Sequence, residues 1–230
     1  MTTTSGVQYS GIWNISSQAN AKAAGTWPVP VVSLYAWGSN GNGELGLGNL
    51  TYKSSPNQVG SPNTWLNIAG AYRFTFSIKK DGSLYAWGYN NNGQLGLGNT
   101  TDYSSPKQVG SLTNWLKIAG GYKHTLATKT DGTLWAWGIG SNGQLGLGNV
   151  TAYSSPKQVG ALTTWLTIAC GEYHTVATKS DGTLWSWGYN GEGQLGLGNT
   201  TSYSSPKQVG TLTTWYKVSC GSTATIALKY

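Results

Sequence analysis

The chain has 230 residues, a net charge of +7 and only 9 % charged side chains, with 34 glycines, 12 tryptophans and 14 tyrosines. No stretch has the length of apolar sequence that spans a membrane, and the first residues lack the features of a secretory signal, so we expect neither membrane insertion nor signal-directed export. Aromatic and β-branched residues punctuated by Gly, Asn and Pro predict short strands and tight turns, and the length suffices for one all-β domain with a core.

The first thirty residues have no counterpart in the rest of the chain. Residues 7–14 could form a strand, and a short helix capped at Ser16 or Ser17 could run to Ala24 and end at Gly25. Thirty residues are too few to fold alone, so we expect this segment to pack on the remainder as a strap or to dock on a partner. Four large apolar side chains are the candidate docking residues: Tyr9, Ile12, Trp13 and Trp27.

Part of this segment carries a recognisable phrase. Residues 6–28 read GVQYSGIWNISSQANAKAAGTWP. The phrase resembles the leader of structural proteins from marine tailed bacteriophages, where it precedes a variety of β-rich modules. The resemblance implies a virion component.

Four 50-residue copies of one sequence fill the remaining chain, at 31–80, 81–130, 131–180 and 181–230. A Trp-Gly pair recurs in each copy, at Trp37, Trp87, Trp137 and Trp187, and a Gln/Glu-Leu-Gly-Leu-Gly-Asn run follows it. A period of this length without a helical pattern predicts supersecondary units that stack to bury their faces. We therefore divide the chain into a docking segment (1–30) and one repeat domain (31–230).

Each copy predicts four antiparallel strands. In one such set, which crosses the boundary between the first and second copies, they are residues 65–69, 73–79, 83–87 and 106–109. Asp81-Gly82 predicts a two-residue hairpin turn of a primed type, and a long Gly/Asn loop leads to the last strand. Pro106 suits an outer edge strand, where a missing amide donor is tolerated. Four-stranded units arrayed around an axis form a β-propeller, the predicted fold.

The segment WLKIAGGYKHTLATKTDGTLWAWG (115–138), followed by NGQLGLG (142–148), resembles the RCC1-type propeller repeat, and all four copies match it. The resemblance covers residues 31–230 and implies a propeller of RCC1-like blades. It implies little about function, because one fold hosts many unrelated tasks. Familiar members of the family have seven blades, so four copies are a departure. The chromatin binding and nucleotide exchange of the founding member are not carried over.

The repeat domain starts in a third strand (33–37) and finishes in a second strand (223–229), so one of its four blades is split between the N-terminal and C-terminal parts of the chain. Pairing these parts would protect open strand edges. We expect closure within one chain. The alternative is a homo-oligomer in which two chains complete each other and form an eight-bladed ring.

Differences between the copies concentrate in two loops, which we expect on the same rim of the propeller. One loop joins the first and second strands, and the other follows Trp-Gly. Exposed aromatic and amide side chains there could bind a sugar or a protein, although the tyrosines could also merely cover the blades. The candidate binding-face residues are Tyr72, Arg73, Tyr89, Asn90, Asn91, Tyr122, Lys123, Tyr173, Tyr189 and Asn190.

Signals for catalysis or metal binding are weak. His124 and His174 occupy equivalent strand positions, where packing or a local hydrogen bond is the favoured role. No carboxylate pair suits acid–base work, and no His/Cys spacing suits zinc. Cys170 and Cys220 are expected to be buried thiols, because a disulfide needs Cα atoms within about 7 Å. We predict a non-enzymatic protein with no metal and no cofactor.

The positive charge is arranged in rows. Lys79, Lys129, Lys179 and Lys229 end the second strands, and Lys107, Lys157 and Lys207 lie on outer strands. Such rows could attract a polyanion, but their even spread favours a solvated rim, so no specific nucleic-acid partner is expected.

Three functions follow from these observations. The first is a non-catalytic virion or tail appendage that presents a propeller face to a host-surface glycan, a receptor or another protein. It would lie in the virion, and in the host cytoplasm during assembly. The alternative is a free-standing, soluble cytoplasmic RCC1-like interaction or inhibitor module. The third is a polyanion or glycan binder that uses the lysine rows.

Overall fold

A computed structural model describes residues 32–61 and 65–230. The predicted docking segment, including Tyr9, Ile12, Trp13 and Trp27, lies outside the described residues, as does its expected strand and helix. Residues Val32–Tyr230 form one compact unit. In the described part of the chain no helix is long and apolar enough to cross a membrane.

The described residues form an all-β fold of antiparallel sheets. An N-terminal half-sheet contains β1 (Tyr35–Gly38) and β2 (Lys53–Gln58). The first complete blade contains β3 (Trp65–Gly70), β4 (Phe74–Lys79), β5 (Leu84–Gly88) and β6 (Tyr103–Gln108). The second contains β7 (Trp115–Gly120), β8 (His124–Lys129), β9 (Leu134–Gly138) and β10 (Tyr153–Gln158). The third contains β11 (Trp165–Cys170), β12 (His174–Lys179), β13 (Leu184–Gly188) and β14 (Tyr203–Gln208). A C-terminal half-sheet contains β15 (Trp215–Cys220) and β16 (Thr225–Lys229).

The predicted four-stranded blade is confirmed. Strands follow one another in space as they do in sequence, and the proline-bearing strand is the outer edge. This edge strand is longer than predicted, since in the first blade it begins at Tyr103 rather than at Pro106.

The hairpin turn differs from the prediction. A two-residue primed turn of type I′ requires positive φ at both central residues, but only Gly82 has it, at 80°. The Gly82 amide donates to the Lys79 carbonyl at 2.9 Å, and Asp81 Oδ1 accepts from the Ser83 amide at 2.9 Å. The connection is thus a three-residue loop with a left-handed glycine, and the aspartate side chain stabilises it.

Among the described strands, the fourth blade is not closed within one chain. The half-sheets contain the predicted strands, but β1–β2 and β15–β16 are separate sheets. Each is an antiparallel pair of strands. One strand edge of each pair, which is hydrogen-bonded in the complete blades, is open here. The four-blade ring expected from one chain is therefore three complete blades flanked by two halves.

One backbone carbonyl connects each blade to the next. The Gln94 carbonyl, in the loop between β5 and β6, accepts from Thr125 Oγ1 and from the Trp137 indole N–H, both at 2.8 Å. Glu44 and Gln144 occupy the equivalent positions and accept from the Thr and Trp of their own neighbouring blades. These tryptophans are buried between blades, so the same residues form the core and set the spacing of the blades.

Candidate functional site

Both variable loops lie on one rim, as predicted. The amide of Tyr89, directly after the Trp-Gly pair, donates to the Arg73 carbonyl at 2.8 Å. Ile139 and Tyr189 make the same hydrogen bond to Lys123 and Tyr173, both at 2.9 Å. We call the surface formed by residues 71–73, 121–123, 171–173 and 221–223, with the residues that follow each Trp-Gly pair, the variable rim.

Three tyrosines on the variable rim contact one another in series. The Tyr72 and Tyr122 ring centroids are 4.5 Å apart, and those of Tyr122 and Tyr173 are 5.6 Å apart. The Arg73 guanidinium lies 5.2 Å from the Tyr72 centroid, and Lys123 Nζ lies 5.0 Å from that of Tyr122. We call Tyr72, Tyr122 and Tyr173 the tyrosine ladder. Two cations therefore flank an aromatic surface that crosses three blades.

Beside the ladder lies a concave cavity of about 450 Å³. It opens where the inner strands β7, β11 and β15 end, so residues from successive copies line it. Most of them are small, which leaves the space empty. The lining residues are Tyr72, Gly120, Gly121, Tyr122, Cys170, Gly171, Glu172, Cys220, Gly221 and Ser222.

The two thiols in this cavity are free. Burial raises the pKa of Cys170 well above its ordinary value, and its neighbour Cys220 raises it further. Burial also raises the pKa of Cys220, to about 11. Both groups are therefore neutral thiols at physiological pH, and neither is an activated nucleophile.

Glu172 and Ser222 were missed by the sequence interpretation. They replace the ladder tyrosine in the third and fourth copies, and this departure from the repeat was the available signal. Ser222 Oγ donates to Glu172 Oε2, and the Glu172 amide donates to the Ser222 carbonyl at 2.9 Å. Burial, and then the Glu172 charge, raise the pKa of Tyr173. The lining of the cavity therefore includes one acidic group, Glu172.

The assignment of two residues to the binding face is wrong. Asn90 and Asn190 are fully buried. Asn90 Nδ2 donates to the carbonyls of Asn99 and Thr101, at 3.0 and 2.9 Å, and its Oδ1 accepts from the Leu95 amide. Asn190 makes the same set of bonds. These amides hold the long loop together and have no group left to present to a partner.

The other predicted residues stay on the candidate face. Tyr72, Arg73 and Asn91 are exposed, and the remaining members are half-buried: Tyr89, Tyr122, Lys123, Tyr173 and Tyr189. Tyr122 makes its ring contacts with Tyr72 and Tyr173. The ladder is thus the aromatic centre of the surface.

The histidines are structural. His124 Nε2 contacts Thr175 Oγ1 at 3.2 Å, and His174 Nε2 contacts Thr225 Oγ1 at 3.0 Å, in each case across blades. Burial lowers the pKa of His124 to about 3, with a further contribution from His174, and it lowers that of His174 to about 4. Both imidazoles are neutral at physiological pH. Within residues 32–61 and 65–230 no group of three or more His, Cys, Asp or Glu side chains could hold a metal.

The predicted solvated lysine rim is wrong for two of the lysines that end the second strands. Lys129 and Lys179 are buried, and their Nζ atoms lie 3.6 and 3.5 Å from the ring centroids of Trp135 and Trp185. A second tryptophan lies within 5 Å of each, so cation–π contacts replace water. The outer-strand lysines are exposed, each over a tyrosine of its own strand: Lys107, Lys157 and Lys207.

Comparisons with known proteins match the fold. The family model described as the RCC1-like domain matches residues 30–227. The solved structure of human WBSCR16 superposes with a TM-score of 0.77 and 25 % identity, over 86 % of this chain and 53 % of its own. Prp20p of Saccharomyces cerevisiae, described with its binding to Gsp1p and histones, has a TM-score of 0.74 and 23 % identity, over 86 % and 52 %. The yeast protein in its complex with Kap60 has the same TM-score and identity, over 86 % and 50 %.

The chain thus spans about half the length of these solved structures. A search of curated protein sequences found no significant match.

Proposed function

Because the chain belongs to the RCC1-like domain family, we propose that it is a protein-interaction module that binds a protein partner through the variable rim. The observation that carries the proposal is the tyrosine ladder beside an open cavity of about 450 Å³. Aromatic side chains next to a pocket are the usual centre of a protein interface. The alternative of a free-standing interaction module is therefore our principal interpretation.

The chemistry of the rim suggests the kind of partner segment. The cavity would accept an apolar or aromatic side chain, because glycines and neutral thiols line much of it. Arg73 and Lys123 flank the ladder, so acidic residues of the partner would lie near them. The yeast relative is described with the protein partners Gsp1p, histones and Kap60, which supports a protein ligand but identifies none for this chain.

We regard the role as non-catalytic. The histidines are buried and neutral, and the thiols beside the cavity are protonated. The surface is thus suited to binding through shape and aromatic contact.

The virion appendage stays a prediction. It rests on residues 1–30, which lie outside the described residues. Fusing these residues to an unrelated protein, and measuring whether the fusion assembles into particles, tests that role separately from the rim.

A displayed peptide library, selected on the purified chain, tests the rim. We expect enriched peptides with an aromatic residue near acidic ones. The double variant Tyr72→Ala/Tyr122→Ala should bind them at least about tenfold more weakly, since truncating a hot-spot residue costs about 2 kcal/mol.

The matched control changes two exposed leucines on the opposite rim, Leu112 and Leu162. Leu112→Ala/Leu162→Ala should leave the affinity unchanged. If this control loses binding while the tyrosine variant keeps it, the peptides bind the opposite rim and the proposed interaction surface is wrong.

A further inference from the structure

The half-sheets expose the residues that complete blades bury. Trp37 is 59 % exposed, whereas the equivalent Trp87 is 1 % exposed. Ile226 is 67 % exposed, whereas Phe76 and Val176, at its position in other copies, are fully buried. β1–β2 corresponds to the outer pair of strands of a blade and β15–β16 to the inner pair. Each half thus presents the apolar face and strand edge that the other half would cover.

Among the described residues, one loop carbonyl at the C-terminal end has a single side-chain donor, where the equivalent carbonyls have two. The carbonyls of Glu44, Gln94 and Gln144 each accept from a threonine and a tryptophan of the next blade. The Gln194 carbonyl accepts from Thr225 Oγ1 at 2.8 Å. The tryptophan at the next equivalent position of the repeat is Trp37, and its indole lies exposed at the other end of the described domain.

A space for that indole is already present. At Gly146, a Cβ would lie 2.7 Å from the indole nitrogen of Trp187, so only glycine admits the ring. At the equivalent Gly196, a Cβ would meet nothing nearer than Val209 Cγ1 at 3.5 Å. A cavity of about 430 Å³ lies there, with Leu195, Gly196 and Trp215 in its lining.

The N-terminal end has the complementary space. A cavity of about 370 Å³ is lined by Trp37 on β1 and by Ile68 and Trp87 of the first complete blade. In the complete blades, the residue equivalent to Ile226 occupies this position, since the Phe76 ring contacts Trp137 of the next blade at 6.2 Å. An Ile226 side chain from outside would therefore fill this cavity.

We propose that a second copy of this chain completes the split blade, with β16 of one copy pairing with β1 of the other. The register follows from β12 and β13, where Thr175 lies opposite Trp187 and Ala177 opposite Trp185. By the 50-residue period, Thr225 lies opposite Trp37 of the second copy and Ala227 opposite Tyr35. Lys229, which has Trp215 at 5.9 Å, then gains the Tyr35 ring as its second aromatic neighbour.

Two copies close the assembly into a ring. Each contact is head-to-tail, because one end of a chain meets the opposite end of the next, and such contacts form rings when the rotation closes. In a ring of two copies, a twofold axis relates the two contacts. The chain superposes on 53 % of the human structure, so two copies supply about the length of chain in that fold. This inference does not depend on the ligand of the variable rim.

The first experiment measures the mass of the full chain by light scattering. We expect twice the 24.3 kDa of one chain. Ile226→Asp should reduce the mass to that of one chain while the circular dichroism spectrum keeps its β-sheet character, because this side chain is exposed in the single chain. Ile226→Val is the matched control and should stay dimeric, since Val176 already occupies the equivalent position.

The second experiment tests the register by cross-linking. Chains carrying Tyr35→Cys are mixed with chains carrying Ala227→Cys, both in a Cys170→Ala/Cys220→Ala background, and then oxidised. Residues opposite each other in an antiparallel pair are within disulfide range. We expect a band of twice the mass without reductant. Ala224→Cys in place of Ala227→Cys is displaced by three residues, about 10 Å along the strand, and should not link.

The outcomes separate the alternatives. A single-chain mass for the wild type, with no cross-link between mixed chains, overturns the proposal. A series of larger species means an open filament and overturns the closed ring of two. A chain that carries both Tyr35→Cys and Ala227→Cys provides the last comparison. If this chain forms an internal disulfide while the mixed chains do not link, the blade is closed within one chain.

Discussion

The three complete blades and the two half-sheets contain the same sequence in different surroundings. Trp137 is fully buried because a loop of the preceding blade covers it, whereas Trp37 belongs to the same repeat position and is largely exposed. Lys129 lies between two tryptophans, whereas Lys229 is exposed. The comparison shows that a copy determines its own strands, but its neighbours determine which of its residues form a core.

The largest expected effect comes from removing the same tryptophan in both settings. Trp137→Ala should lower the free energy of unfolding by about 3–5 kcal/mol, because it leaves a cavity and removes an indole donor from the Gln94 carbonyl. Trp37→Ala should act on assembly instead. Thermal unfolding of the wild type and of Trp137→Ala should depend on protein concentration, and that of Trp37→Ala should not.

Scanning calorimetry over a hundredfold range of concentration measures both effects. Equal losses of stability in the two variants, with no concentration dependence in either, would contradict the prediction that Trp37 acts in assembly and Trp137 in the core of a blade.

The buried histidines predict the next largest effect, which depends on pH. Their folded pKa values, about 3 and about 4, lie below the unfolded value near 6.5, so the unfolded chain binds more protons in this range. The histidines' contribution to the free energy of unfolding is fully present above pH 6.5. It decreases as the pH falls towards the folded pKa values, by up to about 1.4 kcal/mol per pH unit for each histidine. Urea unfolding at pH 4.5 and 7.5 measures the difference.

The chain offers its own control, since Phe74 stands at this position in an earlier copy. His124→Phe/His174→Phe should remove most of the difference between the two pH values. The hairpin aspartates have pKa values lowered by their hydrogen bonds to Ser83, Thr133 and Thr183, so their contribution disappears only below about pH 4. A pH dependence that survives the double variant would mean that other groups cause it.

The sandwiched lysines predict a smaller effect. Lys129→Met retains the aliphatic stem and removes the ammonium from two indole faces, so stability should fall by about 1–2 kcal/mol. The same change at exposed Lys107, which lies over one tyrosine at 5.5 Å, should cost less than about 0.5 kcal/mol. Denaturant titration compares the two, and equal losses would mean that the tryptophan pair adds nothing.

The smallest expected effect is a change in stability that has opposite signs at Arg73 and at Lys123, which occupy equivalent loops. Arg73 has a φ of 62°, which costs a residue other than glycine about 1 kcal/mol, so Arg73→Gly should stabilise the fold slightly. Lys123 occupies the same loop position without a positive φ, so Lys123→Gly should destabilise by a similar amount. Both variants should weaken binding at the rim, because each removes a cation from the ladder. Stability changes of the same sign in both loops would contradict this account.

Strand order, blade architecture and the shared rim could be predicted from the sequence, because turn residues and alternating apolar positions recur in every copy. The role of Asn90 could not be predicted by looking for variation in its loop alone. Asn40, Asn90 and Asn190 recur at one position, which indicates a scaffold role, yet they stand beside residues that differ. The amide hydrogen bonds that explain them reach residues nine and eleven positions away.

The burial of Lys129 and Lys179 and the lack of closure within one chain escaped prediction for a different reason. Lys129 lies over Trp135, six residues later, and the contact exists only because the hairpin turns the chain back. Charge alone suggested a solvated position. Closure of the split blade depends on the angle between successive blades, which the interlocking carbonyl contacts set and which no single repeat contains.

The shared carbonyl of each loop also bears on how such a protein grows. Each 50-residue unit carries its own acceptor for the unit that follows and its own donors for the unit that precedes, as Gln94 and the pair Thr125 and Trp137 illustrate. A tandem duplication of one unit would therefore bring both sides of a working interface with it. Gene duplication could lengthen the arc without any compensating mutation, and the only contact that would have to adapt is the one that closes the circle.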